Sequence, residues 1–558
     1  MSTPGRPKGE YRSAQHEGAP VSTPGRHGPR DGPCGPLDDY RSAQHEGTPV
    51  NVAARNARRV LLQGTAALAF APGLLRHARA ADVPRFALGI ASGQPHAGGM
   101  VLWTRLTGAG LPGRAAVQWE IARDEAFTDI AARGEETAEA GWAHSVHAEP
   151  TGLAPDRWYW YRFRALGQQS ATGRTRTAPA PGAEAGPLNF VIASCQRYDV
   201  GHYAAWRHVA AESLDLVMFL GDYIYEYPAG PKAVRPLEGG LVRTLDQYRA
   251  RYATHKSDPA LQAAHAAAPW LLVWDDHEVA NDYAGLQGQD PEPDFKARRA
   301  AAYRAYWEHM PFPKAARPVD ENMRITSRLD WGRLARIHLI DDRQYRDPQA
   351  CPKPGRGGAN TVALQDCAAL SDPKRTLLGA DQEQWLAQGW DLTRPWNLLA
   401  QQTLMARCAW TDPSGGAGTY WTDGWDGYPA ARKRLLGTVA QRAVPGVVVL
   451  GGDVHSHYVA DLKADFDDPA SRVIASEFCG TSISSLALPQ ERLDAMRGFN
   501  PHLHHARSDR RGYVHFTLDA RQLHAQLRNV DDALDPASGI ATAARFVVEA
   551  ARPGVVAG

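Results

Sequence analysis

The chain has 558 residues, of which 43% are hydrophobic and 22% are charged, a composition typical of a globular protein. Lysine and arginine number 62 against 61 aspartates and glutamates, and this net charge of +1 argues against a stable nucleic-acid complex or binding to an anionic membrane. At this length one hydrophobic core is not enough, so we expect two domains with terminal tails.

The first 54 residues predict a disordered leader. The stretch "YRSAQHEG" occurs at Tyr11–Gly18 and again at Tyr40–Gly47, within sequence that is rich in glycine and proline and poor in apolar residues. Such a segment has no apolar surface to bury, so we predict that residues 1–54 have no stable fold.

Residues 55–80 have the pattern of an export signal. Arg58 and Arg59 precede a short apolar run, and Ala78-Arg79-Ala80 fits a cleavage site made of small residues. The paired arginines are typical of signals for the twin-arginine translocation machinery, which implies a periplasmic or secreted protein. The alternative is a short amphipathic helix with a chance arginine pair. No later stretch reaches the roughly 18 uninterrupted apolar residues of a transmembrane helix.

Residues 83–180 predict a small β-sandwich. Short aromatic and β-branched runs such as "MVLWTRL" and "RWYWYRFRALG" alternate with turn residues, and no helical period competes with them. This pattern over about a hundred residues is typical of an immunoglobulin- or fibronectin-like domain. We expect it to support the rest of the chain by packing against it.

From residue 186 to residue 535 the pattern changes to strands that alternate with helices. "LNFVIASC" and "LDLVMFLGDYIYE" are continuous apolar runs, and "YAAWRHVAAES" between them has helical spacing. Continuous apolar strands indicate sheets covered on both faces, so this second domain is predicted to be of the α/β class. Residues 536–558 are predicted to be a C-terminal tail.

Metal-capable side chains follow four of the predicted strands. In open α/β sheets the ligand site lies beyond the carboxyl ends of the strands, so we expect these side chains to meet in one cleft. One acid after a strand is commonly a helix cap, but four such strand ends are hard to assign to capping. The candidates are Cys195 after the first strand, Asp222 and Tyr225 after the second, Asp276, His277 and Asn281 after the third, and Asp453, His455 and, at the rim, His457 after the fourth.

The types of ligand suggest two unlike cations. Carboxylate and amide oxygens are hard donors, whereas a thiolate and an imidazole are softer. Tyr225 points to Fe(III), because a phenol stays protonated to about pH 10 unless a strong Lewis acid ionises it. Asp222 lies between the two sets of donors in the chain and is placed to bridge them.

The six cysteines form no CxxC pair, which argues against a zinc ribbon. Disulfides are permitted in an exported protein, and Cys351 with Cys367, in one Pro/Gly-rich stretch, is the pair that we expect. For Cys195, a buried thiol or a disulfide with Cys479 is the alternative to a role as metal ligand.

Several motifs resemble those of a known enzyme family. "GDYIYE", "WDDHEVANDY" and "GGDVHSH" are similar to the GDxxY, GNH(D/E) and GHxH motifs of calcineurin-like and purple-acid-phosphatase metallophosphoesterases. With "FALGIASGQPHAGGMVLWTRL" and "ASCQ" they make the chain, from Phe86 to about Leu527, resemble the alkaline phosphatase D (PhoD-like) family. The resemblance implies a β-sandwich flanked by helices, in α/β/β/α layers, and an exported phosphohydrolase with Fe3+ and Ca2+ as cofactors.

The resemblance also assigns metal ligands residue by residue. The purple-acid-phosphatase pattern has an asparagine where Asp276 stands and a histidine where Asp453 stands. Both differences place a hard carboxylate in the site, which fits calcium better than zinc. The implied iron ligands are Cys195, Asp222, Tyr225 and His455, and the implied calcium ligands are Asp222 as a bridge with Asp276, Asn281 and Asp453.

The expected reaction is hydrolysis of small phosphate monoesters, with diesters as a further class, by in-line attack of a metal-bound hydroxide or oxide. His277 would contact the phosphoryl group or protonate the leaving oxygen, and a strand-end hydrogen bond is its alternative role. Arg197 would contact the phosphate unless it is a surface arginine. We expect a monomer. The alternative functions are a phosphodiesterase of phospholipase D type and a catalytically inactive phosphate-binding protein.

Overall fold

The computed structural model describes residues 84–468 and 470–558. The predicted leader at 1–54 and the predicted export signal at 55–80 lie outside the described residues. Among the residues that are described, no helix has both the length and the apolar character needed to cross a bilayer.

Short apolar runs between polar turns form the strands of the described residues. Those nearest to the predicted site, such as Leu216–Leu220 and Trp270–Val273, are buried along their whole length, as expected for strands covered on both faces. In chain order the strands are β1 (Ile90–His96), β2 (Gly99–Arg105), β3 (Arg114–Ala122), β4 (Ile130–Glu139), β5 (Ser145–Ala148), β6 (Trp158–Ala165), β7 (Gln168–Gln169), β8 (Gly173–Arg176), β9 (Leu188–Ala193), β10 (Leu216–Leu220), β11 (Trp270–Val273), β12 (Ser327–Trp331), β13 (Ala335–Leu339), β14 (Thr361–Ala363), β15 (Trp396–Ala400), β16 (Thr419–Trp421), β17 (Val447–Gly451), β18 (His457–Lys463), β19 (Val473–Cys479), β20 (Leu503–Arg507), β21 (Gly512–Leu518), β22 (Gln522–Val530), β23 (Ile540–Glu549) and β24 (Arg552–Ala557).

Two consecutive helices show how side chains satisfy the first turn. Thr244 and Gln247 form a reciprocal capping box at the start of one helix, and Asp258 followed by Pro259 starts the next, which splits this helical stretch in two. The helices are α1 (Ala204–Ala211), α2 (Leu245–Lys256), α3 (Pro259–Ala267), α4 (Phe295–His309), α5 (Ala380–Gly389), α6 (Pro429–Gln441) and α7 (Gln490–Gly498).

The first sheet carries three of the four predicted strand ends. It has ten strands in the order β24-β23-β22-β21-β9-β10-β11-β1-β2-β5. Strands β9, β10 and β11 are parallel neighbours, so the segments that follow them leave the sheet at the same edge. Cys195, Asp222 and His277, which follow these strands, therefore lie at the same edge of the sheet.

The second sheet carries the fourth strand end. Its seven strands have the order β12-β13-β15-β17-β19-β18-β20, and β13, β15, β17 and β19 are parallel. The two sheets share a core to which Phe190 and Phe516 contribute from the first sheet and Leu398 and Phe478 from the second. The rings of Phe478 and Phe516 lie 5.3 Å apart, so the sheets pack face to face.

The N-terminal region is β-rich, as predicted, but its strands divide between two sheets. Strands β3, β4, β6, β7 and β8 form a five-stranded sheet, whereas β1, β2 and β5 belong to the ten-stranded sheet, in which Gly93 pairs with Trp270. Leu102, Val117 and Tyr161 contribute to one core between these two groups of strands. The region is thus continuous with the larger sheet, and its immunoglobulin- or fibronectin-like character stays a prediction.

The predicted C-terminal tail at 536–558 is wrong. Strands β23 and β24 pair with each other, and β23 pairs with β22 along its whole length, which extends the ten-stranded sheet to its edge. Phe546, Val548 and Val555 are buried in the main core. The short run of small and polar residues before Phe546 has little apolar character, although it pairs with β22 on both sides of a register shift.

Candidate metal centre

The four strand ends meet, and the backbones of three of them share an uncommon conformation. Cys195, Asp222, Asp453 and His455 have positive φ angles of 59°, 60°, 63° and 53°. A non-glycine residue in this left-handed region is strained, and such residues concentrate at functional sites. The end of β9 is fixed further by backbone hydrogen bonds from Cys195 to Gly221 at 3.0 Å and from Ser485 to Cys195 at 3.2 Å.

A first group of potential ligands consists of Cys195, Asp222 and His455, whose nearest donor atoms lie within 4.8 Å of one another. The hydroxyl of Tyr225 donates to Asp222 Oδ2 at 2.8 Å and lies 3.1 Å from His455 Nε2. His455 Nδ1 lies 2.5 Å from the carbonyl oxygen of Leu486, which fixes the ring so that Nε2 faces the group. The geometry therefore joins a thiol, a phenol, an imidazole and a carboxylate.

The phenol of Tyr225 and the thiol of Cys195 ionise in this group only when a positive charge lies close to them. Burial raises the pKa of Tyr225 well above its usual range, and the neighbouring Asp222 carboxylate raises it further. Burial and Asp222 also raise the pKa of the Cys195 thiol. A cation that binds these donors must therefore supply the stabilisation that ionises them.

A second group consists of Asp222, Asp276 and His277, again with donor atoms within 4.8 Å of one another. Asp276 Oδ2 accepts the N–H of Asp282 at 2.6 Å, whereas the buried Asp276 Oδ1 and Asp222 Oδ1 have no hydrogen-bond partner among the described residues. A buried carboxylate oxygen without a partner is costly unless a cation satisfies it. Asp222 belongs to both groups and is placed to bridge them.

His277 is held by Glu226, whose Oε2 lies 2.7 Å from His277 Nδ1. Burial alone would lower the pKa of His277, but the carboxylates of Asp276 and Glu226 outweigh it and raise the pKa well above the usual range. Glu226 also accepts the backbone N–H of Asn281 through Oε1 at 2.8 Å. The strand-end segment is thus fixed by one buried carboxylate.

A third group consists of Asp275, Asp276 and Asp453. Burial raises the pKa of Asp453 to about 7, and the nearby Arg343 only partly offsets this. Burial likewise raises the pKa of Asp275. Asp453 Oδ2 accepts from the hydroxyl of Thr403 at 2.6 Å, which orients the carboxylate. Three clustered carboxylates of this kind are the hard donors that Ca2+ and Mg2+ prefer.

Three other predicted residues lie around these groups. Arg197 is buried rather than on the surface, and its Nε and Nη2 donate to the carboxylate of Asp199 at 2.8 and 3.2 Å. Asn281 is buried beside Glu226. His457 hydrogen-bonds Asn529 at 2.8 Å and takes no part in the three groups of ligands found in the described residues.

One prediction about the cysteines is confirmed and one alternative is wrong. The expected disulfide between Cys351 and Cys367 is confirmed. Cys195 and Cys479 are both free and buried, so the alternative of a disulfide between them is wrong. The sulfur of Cys479 lies instead 3.0 Å from the carbonyl oxygen of Gly452.

Sequence reasoning missed several residues of the centre. Asp275 directly precedes Asp276 and is not among the predicted ligands, yet it belongs to the third group of potential ligands. Glu226 is the last residue of the "GDYIYE" motif. Its carboxylate, next to two predicted ligands in the same motif, was the signal that could have identified it. Arg343 follows β13 in "LIDDRQY", which is a fifth strand with charge at its end, and it ion-pairs with Asp275 and with Asp423.

The chain was compared with known families and proteins. The sequence model of the PhoD-like phosphatase family matches residues 190–527, and that of the N-terminal domain of PhoD-like phosphatases matches residues 71–179. Alkaline phosphatase D of Bacillus subtilis (strain 168) is 41% identical over 490 residues, which cover 84% of this chain and 82% of the relative. A solved structure of PhoD superposes with a TM-score of 0.80 at 39% identity and covers 85% of this chain and 92% of its own. The chain belongs to the PhoD-like phosphatase family.

Proposed function

We propose that this PhoD-like phosphatase is an exported phosphoric monoester hydrolase that uses one Fe(III) and calcium. The observation that carries the proposal is the overlap of the three ligand groups, in which Asp222 joins the first group to the second and Asp276 joins the second to the third. The name of the Bacillus subtilis relative, alkaline phosphatase D, supports the same reaction.

The donors of this chain fit the two cations. Cys195, Tyr225 and His455 supply the softer and phenolic donors that suit a transition metal, and a phenolate is a good ligand of Fe(III). Asp276 and Asp453 supply hard carboxylates for calcium, with Asn281 as a further oxygen donor. The buried oxygens Asp222 Oδ1 and Asp276 Oδ1 accept no hydrogen bond from the described residues, so each can bind a cation.

When bound, the cations would supply Lewis-acid stabilisation of the phosphoryl charge and would acidify the attacking water. The side chains of the protein itself would orient the reacting groups and the metal ligands. His277, held through Nδ1 by Glu226, is placed to donate a proton to the leaving oxygen from the opposite ring nitrogen. Ser485 Oγ lies 2.8 Å from the Tyr225 hydroxyl and keeps the phenol directed at Asp222 and His455.

Arg197 is a weaker candidate for phosphate binding than its position in the sequence suggests. One edge of its guanidinium is bound by Asp199, and its centre lies 5.9 Å from the ring of Tyr225. It would add positive charge near the cleft without necessarily contacting the substrate, and a direct contact with phosphate stays a prediction.

Export by the twin-arginine machinery remains part of the proposal. Arg58 and Arg59 lie outside the described residues, so the support comes from the sequence pattern alone. The disulfide between Cys351 and Cys367 agrees with an oxidising compartment.

Metal analysis of protein purified after export tests the centre. We expect about one iron and at least one calcium per chain, following the two donor sets. Asp222→Asn should lose both metal and activity, because it removes charge from two ligand groups at once. Asp426→Asn is the matched control, since Asp426 pairs with Arg432 and belongs to none of the groups. Zinc alone in the wild-type protein, or full activity of Asp222→Asn, would contradict the proposal.

Hydrolysis of p-nitrophenyl phosphate and of bis-p-nitrophenyl phosphate tests the substrate class. We expect turnover of the monoester, with the diester as the slower substrate. Turnover of the diester alone would make the protein a phosphodiesterase, and no turnover of either substrate with a full complement of metal would make it a binding protein.

A further inference from the structure

Arg343 lies at the centre of a ring of carboxylates. It is 1% exposed, its Nε donates to Asp275 Oδ1, and its Nη1 donates to Asp423 Oδ2 at 2.7 Å. Its Nη2 lies 3.6 Å from Asp276 Oδ1 and 4.0 Å from Asp453 Oδ1. The guanidinium therefore binds two carboxylates by hydrogen bonds and stands beside two others without bonding them.

The backbone of Arg343 is fixed. Asp341 Oδ1 accepts the backbone N–H of Arg343 at 3.0 Å and that of Gln344 at 2.9 Å, and it also accepts from Trp274 Nε1 at 3.2 Å. Because Trp274 directly precedes Asp275, the loop after β13 is tied to the loop after β11. The position of the guanidinium relative to the ligand groups is thus built into both sheets.

The hydrogen bonds separate Asp423 from the other three carboxylates. Asp423 is also bound by Arg346, whose Nη2 donates to its Oδ1 at 2.7 Å, so both of its oxygens are occupied. Asp275 has Oδ1 bound by Arg343, whereas its buried Oδ2 has no hydrogen-bond partner among the described residues. Asp276 Oδ1 likewise has none there, and Asp453 Oδ1 lies at the limit of an ion pair with Arg343.

The formal charge of this cluster is negative when its carboxylates are ionised. Four carboxylates, those of Asp275, Asp276, Asp423 and Asp453, contribute four negative charges, and the guanidiniums of Arg343 and Arg346 remove two. A charge of −2 remains, and Asp275, Asp276 and Asp453 each keep an oxygen that accepts no hydrogen bond from the guanidinium.

We propose that Arg343 is a specificity-determining residue that, with Arg346, withholds Asp423 from coordination and sets the hard-cation site for a divalent rather than a trivalent ion. This inference rests on the proposed function, because it assumes that the site holds a cation. A fixed positive charge a few ångströms from a bound cation repels it in proportion to the charge of that cation. Arg343 therefore penalises a trivalent ion more than a divalent one.

The test is competition between Ca2+ and La3+ on the iron-loaded protein, measured by equilibrium dialysis and elemental analysis. Arg343→Met should shift the La3+/Ca2+ preference toward La3+ by at least about tenfold, as expected for the loss of one nearby charge. Arg343→Lys keeps the charge and should retain the wild-type preference. Arg432→Met, which removes a buried arginine paired with Asp426 elsewhere, should also leave the preference unchanged.

A second pair of variants distinguishes an effect of charge from an effect of misfolding. Asp423→Asn removes one negative charge from a carboxylate that the inference excludes as a ligand, so it should shift the preference toward Ca2+. Combined with Arg343→Met it restores the charge of −2 and should return the preference to the wild-type value. If Arg343 is only structural, Arg343→Met weakens both ions alike with an unchanged ratio, and the inference fails. If the wild-type protein binds neither ion, the proposed function fails instead.

Discussion

His277 and Glu226 form a buried imidazole–carboxylate pair, with His277 Nδ1 2.7 Å from Glu226 Oε2. The pair fixes the orientation of the ring and leaves Nε2 without a hydrogen bond from the described residues. A ring nitrogen held in this way, beside Asp222 and Asp276, suits proton donation to a leaving group. A carboxylate partner of this kind is consistent with the general-acid role proposed for His277.

The contribution of this pair should depend on the leaving group. An alkoxide needs a proton as it leaves, whereas p-nitrophenolate does not, so His277→Asn should lower kcat for an alkyl phosphate by about 10²- to 10⁴-fold and much less for p-nitrophenyl phosphate. Glu226→Gln should cost about 10- to 100-fold on the alkyl phosphate through the loss of orientation and charge. Steady-state kinetics on both substrates provide the measurement. An equal loss on the two substrates would show that His277 binds phosphate rather than donating a proton.

Tyr225 should be the source of visible colour if iron occupies the first ligand group. A phenolate bound to Fe(III) gives a charge-transfer band, so Tyr225→Phe should lose the band and part of the iron, while Cys195→Ser should lose iron with a change in the band. Ser485→Ala is the control, because it removes a contact to the Tyr225 hydroxyl but no ligand. Absorption spectra with iron analysis are the readout. A band of full strength in Tyr225→Phe would exclude the phenol as a ligand.

The disulfide lies in a loop that supports the third strand end. The loop closed by Cys351 and Cys367 includes Ala359, whose N–H donates to Asp282 Oδ2 at 2.9 Å. Asp282 in turn donates its backbone N–H to Asp276 Oδ2 at 2.6 Å. A covalent link is therefore connected to the Asp276 carboxylate through two hydrogen bonds.

Removal of the disulfide should affect both stability and calcium binding. Replacement of Cys351 and Cys367 by serine should lower the free energy of unfolding by up to about 3 kcal/mol, the value for a loop of this size. It should also weaken Ca2+ binding, because Ala359 would hold Asp282 less firmly. Urea unfolding and calcium titration measure the two effects. A reductant should reproduce both in the wild-type protein and change neither in the double variant, and calcium affinity that is unaffected by the variant would separate the loop from the site.

The sequence alone predicts the strand ends well because each ligand follows a continuous apolar run. Cys195, Asp222, His277 and Asp453 could all be selected in this way, and the structure brings their strand ends together. Arg343 could not, because only the packing of the second sheet against the first places the end of β13 beside Asp275.

The extent of the sheets also could not be predicted from the sequence pattern. Strand β23 alternates exposed and half-buried residues from Ile540 to Ala544, and its apolar signal begins only at Phe546. Its stability comes from pairing with β22, which is a long-range property. The same holds for β1, whose pairing with β11 joins the N-terminal strands to the rest of the ten-stranded sheet.

Lys256 is a buried cation where α2 meets the N-terminal strands. It is 2% exposed, and its ammonium lies 4.2 Å from the ring centre of Trp103 and 5.4 Å from that of Tyr223. His265 is close by, and burial lowers its pKa while burial raises that of Tyr223, so both are neutral near pH 7. Burial lowers the pKa of Lys256 itself from its usual 10.5 to about 7.

This lysine should make stability depend on pH. Between about pH 7 and 10.5 the unfolded chain retains the lysine proton and the folded chain releases it, so the contribution of Lys256 to stability rises with pH across that window and is least favourable below pH 7. Lys256→Met should therefore be more stable than the wild type by several kcal/mol at most near pH 6, reduced by the lost cation–π contacts, and the difference should shrink toward pH 10. Urea unfolding of both proteins at pH 6, 8 and 9.5 measures the difference, with exposed Lys433→Met as the control that should show none. A difference that stays constant with pH would mean that Lys256 remains charged in the folded protein, stabilised by Trp103 and Tyr223.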